Sequence, residues 1–103
     1  MALTLQVIYP ATDGTRFDMD YYTDTHMPLV GEHMGAHIDE VLVTGGLAGG
    51  GPGAPSPYYA VATMTFANLD ALDAALAAAP PVVADIANFT DTEPQMMVGQ
   101  VIS

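Results

Sequence analysis

The chain has 103 residues, half of them hydrophobic and only 13% charged, a composition that points to one globular domain and excludes disorder. Arg16 stands alone among Lys and Arg against 12 acidic residues, giving a formal charge of −11 that repels phosphate-rich partners and excludes nucleic acid, nucleotides and anionic membrane surfaces. Without cysteine or lysine there is no disulfide, no thiolate metal site or nucleophile, and no Schiff-base amine except the N-terminus.

Residues 3–9 alternate, Leu3, Leu5, Val7 and Tyr9 on one face and Thr4, Gln6 and Ile8 on the other, which predicts a first strand with a core face. A turn over 10–14 leads into the segment 17–28, FDMDYYTDTHMP. Asp18 is placed to cap a helix, Phe17 and Tyr22 occupy the N′ and N4 positions of a hydrophobic staple, and Asp20 suits the positive end of the helix dipole. Tyr22 and His26 share a helix face, and Pro28 is expected to push Met27 out of the helical region and to end or kink the helix just past the histidine. A second short helical stretch should reach Met34, made irregular by Gly31 and Gly35.

Strands are expected over 38–45 and 58–66, joined by a flexible glycine- and proline-rich loop over 45–57. Its Gly49-x-Gly51-x-Gly53 lacks the spacing, the lysine and the following helix of a phosphate loop. Asn68 should cap a helix with Leu69, Leu72 and Leu76 on one stripe, stopped by Pro80-Pro81. A short helix over 82–87 and a strand over 95–102 complete the order β-α-β-β-α-β. This is the ferredoxin-like arrangement of the α+β class, a four-stranded antiparallel sheet covered on one face by two helices. The open face, with Thr4, Gln6, Ile8, Tyr59, Val61 and Thr63, is too apolar for full exposure, so two sheets are expected to pair in a homodimer.

Among chemical groups His26 leads, because an imidazole titrates near neutrality and can take and return a proton; the alternative is a histidine that only hydrogen-bonds at a helix end. Tyr22, one turn earlier, is either a substrate or imidazole partner or a packing residue, and Tyr21 reads as structural. His33 and His37 share a face with each other only if one helix runs through Gly35, so no metal site is expected. Ser56 and Ser103 lack a positioned base, and the methionines read as core filler with some lining an apolar pocket. No apolar run is long enough to span a membrane and no basic region precedes an apolar N-terminal stretch, so a cytoplasmic location is expected.

Phe17-Asp18-x-x-Tyr21-Tyr22-x-x-x-His26-x-Pro28-Leu29-Val30 resembles the signature helix of the EthD family, and Ala84-Asp85-Ile86-Ala87-Asn88-Phe89-Thr90-Asp91-x-x-Pro94 resembles that family's second signature. The likeness extends over essentially the whole of residues 1–103 as one domain. It implies a dimeric α/β barrel of ferredoxin-like subunits, in a family some of whose relatives are small cofactor-free enzymes acting on lactones or aromatic polyketides. Within the second signature, Asp85 falls near the end of a short helix, where the dipole disfavours a carboxylate unless something holds it, which suits a partner of His26 or of a loop amide. Phe89 would form a rim or wall of the pocket, or anchor a tight loop.

These readings converge on a pocket between sheet and signature helix that binds a small, mostly apolar or aromatic molecule, with His26 as the catalytic group and Tyr22, Asp85 and Phe89 contacting the substrate. The expected chemistry is a cofactor-independent isomerisation, decarboxylation or related proton transfer, with no cofactor and no metal. The alternative is a non-catalytic binding or accessory protein serving a partner enzyme, and a third reading is an oxidoreductase-associated protein.

Overall fold

Alternation builds β1 (Leu3–Pro10), which buries Leu5, Val7 and Tyr9 and leaves Thr4, Gln6 and Ile8 half exposed on its other face. In the computed structural model, which describes residues 2–103, β1 is a central strand. It pairs antiparallel with β3 (Tyr58–Phe66) on one side and with β4 (Gln95–Gln100) on the other, while β2 (Glu40–Gly45) pairs antiparallel with β3. The strand order β2-β3-β1-β4 is that of the ferredoxin-like fold, α+β in class. Two of the expected strand bounds shift. β2 begins at Glu40 because Gly35–His37 forms a 3-10 turn first, and β4 ends at Gln100.

The chain between β1 and β2 is helical in three pieces: α1 (Met19–Tyr21), a π turn (Tyr22–His26) and α2 (Met27–Met34). Asp18 accepts from the Tyr21 amide at 3.1 Å, and the Phe17 and Tyr22 rings meet edge to face at 5.1 Å, so both the cap and the staple form. The expected break at Pro28 does not occur. Met27 is helical at φ −64° and ψ −39°, and its amide bonds to the Tyr22 carbonyl five residues back. Widening the turn by one residue places Pro28 in the first turn of α2, where a missing amide hydrogen is tolerated and the fixed φ is an asset. The helix is therefore bulged at this point instead of ended.

The prolines at 80 and 81 behave the same way. They open α4 (Pro80–Asp85) instead of only closing α3 (Leu69–Ala78), which moves the short helix two residues earlier than expected and leaves Ile86–Asn88 as a 3-10 turn. Asn68 caps α3 by accepting from the Ala71 amide at 2.9 Å. The inward stripe of α3 is Leu72 and Ala75, whereas Leu69 is 59% exposed, because the alanines let this helix sit close to its neighbours and only one leucine is needed to fill the gap.

The π turn, α2, α3 and α4 bury residues into one cluster with Leu5, Val7, Tyr9, Ala60, Ala62, Met64 and Phe66 of the sheet, so the core lies on one side of the sheet. On the other side, register places Thr4, Thr65 and Glu40 in one row and Gln6, Thr63, Leu42 and Met97 in the next, with Leu42 68% exposed. Tyr59, expected on this face, instead stacks on Phe17 at 5.2 Å and donates to the Thr15 carbonyl at 2.8 Å, because the loop before α1 wraps the end of the sheet. No helix among the described residues is long and apolar enough to cross a membrane.

Candidate active site

The two signature segments are stitched to each other by backbone. The Asp18 amide donates to the Phe89 carbonyl at 2.7 Å, Phe17 bridges Thr90, the Thr90 hydroxyl donates to the Arg16 carbonyl at 2.6 Å, and the Arg16 amide donates to Asp91 at 2.8 Å. This seam fixes the end of α4 against the π turn, and it brings together two side chains 59 residues apart in sequence: His26 Nδ1 lies 2.9 Å from Asp85 Oδ2.

The π turn decides how His26 is presented. Tyr22 and His26 are its first and last residues and share one face, their rings stacked at 5.7 Å with an interplanar angle of 18°. Behind them lies Phe89, fully buried, 4.6 Å from the imidazole and 5.2 Å from the Tyr22 ring. The imidazole is 2% exposed and held on two sides by aromatic faces.

Asp85 ends α4 and has both carboxylate oxygens engaged. Oδ2 takes His26, while Oδ1 accepts from the Tyr21 hydroxyl at 2.7 Å and from Asn88 Nδ2 at 3.0 Å. Burial on its own would push this carboxyl up, but the hydrogen bonds from Asn88, Tyr21 and His26, with the charge of a protonated His26, outweigh it and hold the group below the usual carboxylate range. The hydrogen bond to Asp85, with some burial, raises the Tyr21 phenol, which stays a donor. An ionised carboxylate can only accept, so the neutral imidazole carries its proton on Nδ1 and leaves Nε2 with a bare lone pair. No described residue hydrogen-bonds to Nε2.

His26 and Tyr22 both line a cavity of about 80 Å³ between the sheet and the helices. That is room for several waters or a small organic fragment. Among the described residues that line it, only Tyr9, Tyr22 and His26 carry nitrogen or oxygen in their side chains, the lining is almost wholly apolar, and no Asp, Glu, Lys or Arg borders it. At the half-exposed end stand Leu76, Val83 and Met96, the side chains through which the cavity meets solvent. Burial pushes the Tyr22 phenol up to about 12, and burial followed by the charge of Tyr22 raises that of Tyr9, so both remain neutral donors. The Tyr22 hydroxyl is buried and has no hydrogen-bond partner among the described residues. Such an orphan costs about 1–3 kcal/mol.

Of the residues singled out from the sequence, His26 and Tyr22 face the cavity, while Asp85 and Phe89 stand behind His26 and do not border it. Asp85 and Phe89 contact the imidazole and not this cavity. The reason is geometric: the backbone seam turns the second signature toward the back of the helix. His33 is exposed and His37 half buried, and among the described residues no three His, Asp or Glu side chains gather to hold a metal ion. Sequence reasoning read Tyr21 as structural and Asn88 as a turn and pocket residue, and did not foresee that both donate to Asp85. The signals were present: consecutive tyrosines on a helix face different sides, and Asn88 is three residues after Asp85, the spacing of neighbours on a helix surface. Tyr9, which β1 alternation had already put on the core face, also lines the cavity, as does Met96, one of the methionines expected to fill the core or line an apolar pocket.

Residues 14–93 match the EthD domain family. No curated protein matches the chain. Among solved structures, an EthD-like protein from Ralstonia eutropha JMP134 is 34% identical over 99% of this chain and 93% of its own, with a TM-score of 0.89. A dimeric ferredoxin-like protein from Thermobifida fusca YX is 13% identical over 98% of this chain and 92% of its own, TM-score 0.66. SnoaB, a cofactor-independent oxygenase from Streptomyces nogalater, is 8% identical over 99% of this chain and 93% of its own, TM-score 0.62; at these identities the last two speak to the fold alone. With four-fifths of the chain matched by the family and a relative alike in sequence and fold from end to end, the protein belongs to the EthD family.

Proposed function

We propose that the protein is a cofactor-independent proton-transfer enzyme, an isomerase, decarboxylase or related catalyst, that takes a small, mostly apolar carbonyl or aromatic compound into the cavity beside His26. The observation that carries this reading is the Tyr22 hydroxyl, a buried donor without a hydrogen-bond partner among the described residues, on a side chain that lines the same cavity as His26. An orphaned donor and a bare imidazole nitrogen side by side match a ligand that offers one acceptor and one acidic hydrogen. Tyr22 binds and orients the acceptor oxygen, and Nε2 removes the proton. The ionised Asp85 stabilises the imidazolium that results, and the apolar walls exclude water while the proton is held and returned. Absence of any cationic side chain from the lining favours a neutral ligand over a carboxylate, and so favours isomerisation over decarboxylation.

The same reading includes a homodimer formed through the open sheet faces. Leu42 and Met97 lie on that face, 68% and 51% exposed, and covering them removes apolar surface from water at about 25 cal/mol per Å². The name of the Thermobifida protein, dimeric and alike in fold, is consistent with this assembly.

The test is deuterium wash-in. Small neutral ketones, lactones and phenols are incubated with the protein in D₂O and exchange of their acidic C–H positions is followed by NMR. Acceleration by the wild type that falls on the order of 10² to 10⁴-fold in His26→Asn, with binding changed far less, supports the base assignment. Ligands that bind tightly and show no accelerated exchange or turnover in either form would instead make the protein a carrier, with His26 a polar anchor.

A further inference from the structure

We propose that Tyr21 and Asn88 are positioning residues, which hold the Asp85 carboxylate in one rotation and thereby keep the proton of the neutral His26 on Nδ1. The inference builds on the reading of His26 as a base but concerns which of its nitrogens is free.

Asp85 is placed where a carboxylate is poorly supported. It ends a six-residue helix, at the negative end of the peptide dipoles, and no Lys or Arg side chain pairs with it; among the described residues its single salt bridge is with His26. The work of a cation falls to neutral donors. Their arrangement divides the carboxylate in two: Oδ1 receives the Tyr21 hydroxyl at 2.7 Å and Asn88 Nδ2 at 3.0 Å, and Oδ2 is left for His26 Nδ1 at 2.9 Å. With one oxygen doubly occupied, rotation of the carboxylate would cost two hydrogen bonds to a charged acceptor, so the other oxygen stays trained on the imidazole. The Tyr21 ring is fixed in turn, stacked on Phe89 at 6.1 Å and 23°, and Phe89 also packs on the imidazole. One aromatic plate thus sets the donor and the recipient of the same carboxylate.

A hydrogen bond from Nδ1 to an ionised, well-aimed acceptor biases the ring at least tenfold toward the Nδ1–H tautomer. Were the carboxylate free to rotate, Nε2–H would be populated as well, and a cavity-facing N–H cannot act as a base. The paired tyrosines then divide the labour. Tyr22 faces the ligand, while Tyr21, one residue earlier and pointing the other way, governs the base from behind.

The experiment reads the tautomer directly. The full chain is labelled with ¹⁵N-histidine, His26 is assigned by its loss in His26→Asn, and ring nitrogen shifts are recorded at a pH above the titration of the imidazole. In the wild type the Nδ1–H form should exceed Nε2–H by tenfold or more. In Tyr21→Phe with Asn88→Ala the two forms should become comparable, and each single variant should fall between. Phe at 21 keeps the ring that stacks on Phe89, and circular dichroism melts verify the fold; if the double variant does not fold, the single variants carry the test. A ring that keeps the wild-type ratio in every folded variant, or one already mixed in the wild type, overturns the proposal. Neither result depends on turnover, so the base reading fails separately, by absent deuterium wash-in with an intact Nδ1–H tautomer.

Discussion

Replacing Tyr22 by Phe should make the protein more stable and a worse binder. The hydroxyl is fully buried and has no partner among the described residues, and the ring itself makes edge, stacked or tilted contacts with Tyr9, Phe17, His26 and Phe89 that a phenylalanine retains. An unsatisfied buried donor costs about 1–3 kcal/mol, so deleting it returns about 1 kcal/mol even if the ring shifts to fill the vacated space. For a domain of this size that corresponds to a rise in melting temperature of about 5 °C. Scanning calorimetry at fixed protein concentration measures it, the concentration being held because a dimer's melting depends on it. Titration with a neutral ketone or phenol that binds the wild type should show affinity reduced about fivefold, the equivalent of roughly 1 kcal/mol. A variant that melts earlier than the wild type would mean that water or a moving neighbour already satisfies the hydroxyl. The argument that it awaits a ligand would then fail.

Asp18→Ala should cost about 1 kcal/mol by removing the acceptor for the Tyr21 amide, seen in urea unfolding, while ligand affinity holds; unchanged stability with lost binding would contradict the cap assignment. Asp85 has a folded pKa below the unfolded value near 3.8, so the stability it contributes is present above that value and is lost as pH falls through the lower folded pKa. The stability gap between wild type and Asp85→Asn should therefore be widest near neutrality and shrink in acid; a gap that stays constant across this window refutes the linkage. Leu42→Asp places a charge on the open sheet face, where the residue is 68% exposed, and should convert a dimer to monomer in sedimentation equilibrium; a wild type that is already monomeric at micromolar concentration removes the paired-sheet reading.

The sheet was legible because its information is local. Alternation along 3–9 and 58–66 gives the strands and their buried faces directly, and β3 occupies the span read from sequence. Capping was legible for the same reason, since Asp18 and Asn68 meet amides three residues ahead. Leu69 was misread because helical spacing shows which residues share a face and not how wide the buried stripe is; with Ala75 allowing close approach, Leu72 suffices. The Tyr21, Asp85 and Asn88 cluster was hidden for a different reason. The Tyr21 bond spans 64 residues, and it depends on a backbone seam between two loops that no periodicity encodes.

Pro28 shows most plainly how a correct local rule gives a wrong structure and a better site. The rule that proline expels its predecessor is a local steric preference that packing can override, whereas proline's lost amide bond and its clash with the carbonyl four residues back arise where amide and carbonyl partners are counted in fours. Here they are counted in fives for one turn, so Met27 stays helical and α2 continues to Met34. Tyr22 and His26 open and close that widened turn with their rings stacked at 5.7 Å, on the shared face that residues four apart also have in an ordinary helix. The distortion that lets the helix pass its proline is thus confined to the segment that carries the two cavity-lining rings. It follows that Pro28→Ala, which frees the chain to return to regular helix, should disturb the site more than the fold. A loss of ligand affinity with an unchanged or raised melting temperature is the expected pattern, and a variant that melts markedly earlier while binding as before would show that the π turn serves stability alone.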